Sequence, residues 1–148
     1  MPYPKKILIV DDEADLRDLL AYNLVKSGYD VIESSNGREA IELIRLERPD
    51  LVIMDLMMPE MNGIDACKHI RSAELDRQPI ILFFTARSEY FAKQAAQDAG
   101  ANGYFLKPLA PQRLIASLQK WASWFFISVP ELHSPKAQTS SFARWTLP

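Results

Sequence analysis

The sequence predicts one α/β domain built on a doubly wound parallel sheet of about five strands with helices on both faces. Three observations predict it. Short apolar runs alternate with longer amphipathic segments, the pattern of successive βαβ units. The short runs are nearly continuous in Ile, Leu, Val, Met and Phe, as expected of strands covered on both faces. No glycine-rich phosphate fingerprint follows the first run, which disfavours a dinucleotide-binding version of the architecture.

The elements follow in order. Ile7 to Val10 is an apolar run that stops at a cluster of acids. Leu16, Leu19, Leu20 and Leu24 then recur at helical spacing, and Gly28 supplies the stop. A second run around Val31 and Ile32 leads to Asn36, which stands three residues before Glu39 in a capping-box arrangement. Ala40, Ile41, Leu43 and Ile44 form the buried face of that helix, which must end before Pro49. Leu51 to Met54 is the third run, and the helix after it carries Ile64, Cys67 and Ile70. Pro79 introduces the fourth run, Ile80 to Phe84, and an alanine-rich helix is expected from about Ser88 to Ala99. Tyr104 to Leu106 is the fifth run. Pro111 fits the first turn of a last helix with Leu114, Ile115, Leu118, Trp121, Ala122 and Phe125 on one face. Right-handed crossovers leave few topologies, and the flavodoxin-like strand order 2-1-3-4-5 fits best.

Composition narrows the class. With 148 residues, 48% hydrophobic and 24% charged, the chain has the profile of a globular protein able to bury a core without staples. Cys67 is the sole cysteine, which suits a reducing cytoplasm. A net charge of -2 argues against a nucleic-acid-binding surface. The N-terminal run is too short for a signal peptide, and Trp121 to Val129 is far short of the about 20 residues that span a bilayer. The domain is expected to occupy residues 1–127. Residues 128–148, rich in Pro, Ser and Thr without periodicity, read as a tail or linker.

In open parallel sheets, ligands bind beyond the carboxyl ends of the strands. Asp11 and Asp12 follow the first run, Asp55 the third, Thr85 the fourth and Lys107 the fifth. Four loops thus deliver three carboxylates, a hydroxyl and an ammonium to one place. Carboxylates so close repel unless a cation joins them, and Mg²⁺ suits an all-oxygen donor set. With the ion bound, one carboxylate can remain ionised and act as a nucleophile toward phosphorus. Lys107 and Thr85 would then serve the phosphoryl oxygens.

Ile7-Leu-Ile-Val-Asp-Asp-Glu13, Asp55-Leu-Met-Met-Pro-Glu-Met-Asn-Gly63, Phe84-Thr85-Ala86 and Lys107-Pro108 together resemble the receiver family of bacterial two-component response regulators. The match runs in order over roughly Lys5 to Trp121. The resemblance implies Asp55 as phosphoacceptor, Asp12 as direct Mg²⁺ ligand, Asp11 as ligand mainly through water, and the Met57 backbone carbonyl as a further ligand. Mn²⁺ is the substitute ion. Lys107 would contact the phosphoryl group, with Pro108 after it in the family's cis position, and the small Ala86 would leave room. Thr85 and Tyr104 would form the switch. Implied partners are a sensor histidine kinase or histidine phosphotransfer protein, and a downstream effector or second copy on the face of helix 4, strand 5 and helix 5. The implied role is a cytoplasmic signalling switch rather than a conventional enzyme. Two departures stand out: Ala110 occupies a usual capping position, and neither Met57 nor Arg87, which flank the pocket, is a water activator, implying a long-lived phosphoryl state.

Plainer readings stand beside these. Asp11 and Asp12 could cap a helix, Thr85 could cap the fourth, Lys107 could be solvated, and Tyr104 could be an ordinary strand aromatic. Cys67 reads as core and His69 as solvated. Trp121, Trp124, Phe125, Phe126 and Ile127 exceed what one helical face buries, so they either pack under the tail or form a partner surface. Two rival functions remain: a phosphorylation-independent interaction module, and an Asp-nucleophile phosphatase of the haloacid dehalogenase type. The latter wants an Asp where Glu13 stands.

Overall fold

Alternation of apolar runs with amphipathic segments becomes, in the computed structural model, a regular succession of strands and helices. Residues 4–128 are described, with side chains over 4–120. The elements are β1 (Lys6–Val10), α1 (Ala14–Lys26), β2 (Asp30–Ser34), α2 (Gly37–Glu47), β3 (Leu51–Met54), α3 (Gly63–Ser72), β4 (Ile80–Thr85), α4 (Tyr90–Asp98), β5 (Gly103–Leu106) and α5 (Pro111–Ser128). All neighbouring strands are parallel, in the order β2-β1-β3-β4-β5. The expected flavodoxin-like sheet is therefore present.

Alternate strand residues feed two separate cores. Ile7, Ile9, Ile53, Leu82 and Phe84 face α1 and α5, meeting Leu20, Leu24, Leu114 and Leu118. Leu8, Val10, Met54, Ile81 and Phe83 point the other way, against Ala40, Ile44, Ala66, Cys67, Ile70 and Ala96 of α2, α3 and α4. Each fully buried Leu, Ile or Phe contributes roughly 1.5–3 kcal/mol. Central strands β1, β3 and β4 are covered on both sides, which is why their sequences do not alternate.

Helix starts show where side chains overrule pattern. Asn36 Oδ1 accepts from Glu39 N at 2.9 Å, but Asn36 N donates to Ser34 Oγ at 3.3 Å instead of closing a reciprocal box. Asn62 caps α3 in the same way through Asp65 N, also at 2.9 Å. α4 begins at Tyr90 rather than Ser88, with Glu89 at its N-cap and no side-chain cap. Leu19 departs from its expected buried place. It is 48% exposed, because two consecutive leucines cannot both face the sheet and Leu20 takes the inward position.

Cys67 is buried, its thiol donating to Ala99 O at 3.4 Å, and burial pushes its pKa up to about 11. His69 is exposed. The tail expected over 128–148 lies outside the described residues apart from Ser128, which ends α5. The side chains of Trp121, Trp124, Phe125, Phe126 and Ile127 lie outside them as well.

Candidate functional site

Strand register assembles the site. Val10 pairs with Met54, so Asp11 and Asp55 leave adjacent strands at the same level. Thr85 pairs with Leu106, so Lys107 emerges one residue beyond Thr85 on the next strand over. The two backbones stay tied there, Asp55 N donating to Val10 O at 3.0 Å and Lys107 N to Thr85 O at 2.8 Å.

Lys107 is the hub. Its Nζ donates to Asp11 Oδ2 and Asp55 Oδ2, each at 2.9 Å, and to Glu13 Oε1 at 3.1 Å. The ammonium also lies 5.6 Å from the centre of the Phe84 ring. The other oxygens of the acids are held by backbone: Asp11 Oδ1 accepts from Glu13 N at 2.9 Å, and Asp55 Oδ1 from Met57 N at 3.0 Å. Carboxylate oxygens of Asp11, Asp12 and Asp55 all lie within 4.8 Å of one another. Asp11 and Asp55 are buried, and Asp12 is exposed at the rim.

The electrostatics follow from burial and crowding. Burial raises the Asp11 carboxyl above its usual range and the charge of Asp55 adds to this, against the opposing pull of Glu13 N–H and Lys107. For Lys107, burial works to lower the pKa, but the hydrogen bonds it donates to Asp11, Asp55 and Glu13 override this and the net shift is upward. Three carboxylates therefore share one ammonium, and a fourth, Asp12, stands beside them at the rim. The surplus negative charge, all on hard oxygen donors, is the chemistry that a small divalent cation satisfies. Asp11, Asp12 and Asp55 are the residues able to hold it.

Thr85 is fully buried, and its Oγ1 accepts from Arg87 N at 3.3 Å, so it closes the β4–α4 turn rather than capping α4. Ala86, next in sequence, is exposed. Tyr104 is half-buried beside Phe83, ring centres 6.3 Å apart, and its hydroxyl donates to Arg87 O at 2.7 Å. Burial raises the Tyr104 pKa. The Lys107–Pro108 peptide is cis. Met57 is exposed, with Arg87 Nη1 3.1 Å from its sulfur.

Two contributors escaped the sequence reading. Glu13 is the third acceptor for Lys107, although its place beside an acidic pair was a visible signal. Gly63 is the other: a Cβ there would stand 2.5 Å from Asp55 O and 2.7 Å from Phe83 Cε1. Only glycine lets α3 approach the Asp55 backbone this closely, and Gly63 N donates to Leu56 O at 2.9 Å.

Residues 7–119 match the family profile described as the response regulator receiver domain. The alkaline phosphatase synthesis transcriptional regulatory protein PhoP of Bacillus subtilis is 44% identical over 115 residues, covering 78% of this chain and 47% of that protein. The chemotaxis protein CheY of Thermotoga maritima is 42% identical over 117 residues, covering 78% of this chain and 96% of that one. Among solved structures, the chemotaxis response regulator CheY4 of Vibrio cholerae superposes with a TM-score of 0.72 at 33% identity, over 78% of this chain and 97% of that one.

A doubly wound sheet with this acidic pocket at its carboxyl edge is a receiver fold, and the chain belongs to the response regulator receiver domain family. Such domains are the signalling modules of two-component systems. The chain spans about half the length of the first curated relatives it matches, 47% and 49%. Among the described residues, no helix is long and apolar enough to cross a membrane.

Proposed function

We propose that the protein is a phosphorylation-activated switch, accepting a phosphoryl group on Asp55 from a phosphohistidine of a sensor kinase or phosphotransfer protein. The observation that carries this reading is Lys107 Nζ bridging Asp11 and Asp55 at 2.9 Å inside a three-carboxylate cluster. An Asp55 carboxylate oxygen attacks phosphorus, and the P–N bond to the donor imidazole breaks. The imidazole leaves with that electron pair and takes up a proton, and an acyl phosphate remains on Asp55.

Asp11, Asp12, Asp55 and the Met57 carbonyl would hold Mg²⁺, or Mn²⁺ in its place. The ion supplies neutralising charge where the phosphoryl oxygens gather. Lys107 exchanges its Asp11 and Glu13 partners for a phosphoryl oxygen, Thr85 donates its hydroxyl to another, and Ala86 leaves the approach open. Pro108 shapes the turn beside Lys107. Since Thr85 and Tyr104 both hydrogen-bond the backbone of Arg87, movement of Thr85 is felt by Tyr104, and the switch reads out on the α4–β5–α5 face to an effector or second copy. The working unit is residues 1–127, with 128–148 as a tail or linker, in a cytoplasmic protein that is a switch rather than a turnover enzyme. Neither Met57 nor Arg87, which flank the pocket, is an obvious water activator, so the phosphoryl state is long-lived.

The test is intact-protein mass after incubation with acetyl phosphate, with and without Mg²⁺, for the wild type and Asp55→Asn. One Mg²⁺-dependent phosphoryl adduct, absent from the variant, is expected. A folded wild type that takes no adduct would move the function to a phosphorylation-independent interaction module.

A further inference from the structure

The two acids after β1 are held in unequal ways. Asp11 has both side-chain oxygens bonded, by Glu13 N and Lys107 Nζ, and its own N–H donates to Ser34 O at 3.1 Å. The Asp12 carboxylate is exposed and has no hydrogen bond or ion pair among the described residues. Its direction is therefore set by the backbone, in particular by the peptide joining Asp11 to Asp12. The carbonyl of that peptide is Asp11 O, beyond the last rung of the sheet ladder, and it accepts from Arg17 Nη1.

Arg17 lies one turn into α1, where side chains lean back toward the helix N-terminus. Its side chain is 18% exposed, and Nε lies 3.3 Å from Glu33 Oε1 on β2. Glu33 pairs in register with Ile9 of β1, so the carboxylate that steadies the guanidinium stands on the sheet itself. The fork of Arg17 thus spans from the sheet to the one peptide that aims Asp12. A mere surface ion pair would end at Glu33, and exposed pairs contribute only about 0–1 kcal/mol.

We propose that Arg17 is a positioning residue for the cation site: through Asp11 O it fixes the Asp11–Asp12 peptide and thereby the aim of the Asp12 carboxylate. The inference rests on the reading that Asp11 and Asp12 hold Mg²⁺. Outer partners of metal ligands typically change affinity by about 10–100-fold when removed.

The experiment titrates Mg²⁺ alone by calorimetry into the wild type, Asp12→Asn, Arg17→Ala, Arg17→Lys and Glu33→Gln. Amide exchange is followed in the same Mg²⁺-free proteins. Arg17→Ala is expected to weaken Mg²⁺ binding about tenfold, and Arg17→Lys to recover part of the loss. Glu33→Gln should give a smaller loss in the same direction. Exchange at the Asp12 and Glu13 amides should quicken in Arg17→Ala while the middle of α1 is unchanged. Wild-type Mg²⁺ affinity in a folded Arg17→Ala protein would overturn the inference. If that variant does not fold, unchanged affinity in both Arg17→Lys and Glu33→Gln overturns it equally. A wild type that binds no Mg²⁺, or an Asp12→Asn protein that binds as tightly, instead defeats the cation reading on which the inference rests.

Discussion

The two ends of the sheet both bury charge, and they treat it in opposite ways. At the amino end, Asp50 Oδ2 accepts from Lys5 N at 2.8 Å and Lys6 N at 3.0 Å, and its other oxygen pairs with Arg77. Nearby, the half-buried Arg71 donates to Gly100 O, Gln78 Oε1, Pro79 O and Asn102 Oδ1 at 2.8, 3.0, 2.7 and 2.7 Å. Gln78 and Asn102 are themselves bonded onward, to Ile70 O and Ile81 N, each at 2.9 Å. At the carboxyl end, one lysine serves three acids and Asp12 stands apart from it. Saturated polar groups fasten loops together. Unsaturated ones leave an appetite for ligand. One sheet therefore has a stapled end and a reactive end.

The largest effect is expected from breaking the staple. Arg71→Ala strips donors from four oxygens, and since a buried acceptor left alone costs about 1–3 kcal/mol, urea unfolding should show a loss of about 3–5 kcal/mol. Mg²⁺ affinity should be unchanged. A loss under about 1 kcal/mol would mean the amino-end network is slack, and the contrast would collapse. Gly63→Ala strikes the rigid part of the reactive end. With the new Cβ forced against Asp55 O and Phe83, a loss of about 1–3 kcal/mol is expected, together with slower uptake of phosphoryl from acetyl phosphate.

Asp11→Asn is the mildest change and the one that sharpens the contrast most. Because burial holds the folded pKa of Asp11 above its ordinary 3.8, the stability associated with this group is full below 3.8 and falls as pH rises through the folded value. In Mg²⁺-free protein at neutral pH the amide should therefore match or exceed wild-type stability. The rise in melting temperature expected of the wild type on adding Mg²⁺ should shrink or vanish. A variant clearly less stable than wild type without the ion would show that Asp11 serves the fold rather than the site.

Much of this was legible beforehand, and the exceptions share a cause. Strand order and the gathering of Asp11, Asp55, Thr85 and Lys107 follow from apolar runs that end in polar residues, because parallel strands line up their ends. Arg71 and Asn102 were not legible as structural groups: an arginine on a helix and an asparagine in a loop usually meet solvent. Their bonding depends on loops that come from α3, β4 and α4 converging, which no local pattern encodes. Arg17 was missed for the same reason, since its partner Glu33 lies on a different strand. Leu19 misled because α1 is apolar on more of its circumference than it buries. Ser88, a good helix-starting residue, was passed over when the turn was closed by Thr85 and Arg87 instead.

The Lys107 contacts also set the order in which the molecule becomes competent. Its bonds close across 52 residues to Asp55 and 96 residues to Asp11. Contacts so distant along the chain form late, after loop-closure entropy has been met by nearer pairings. β5 sits at the sheet edge, joined to β4 alone. Lys107 leaves the end of this edge strand, so the pocket has its ammonium only when β5 is docked. Readiness to receive a signal is thus a late checkpoint of folding, passed only when the last strand is home.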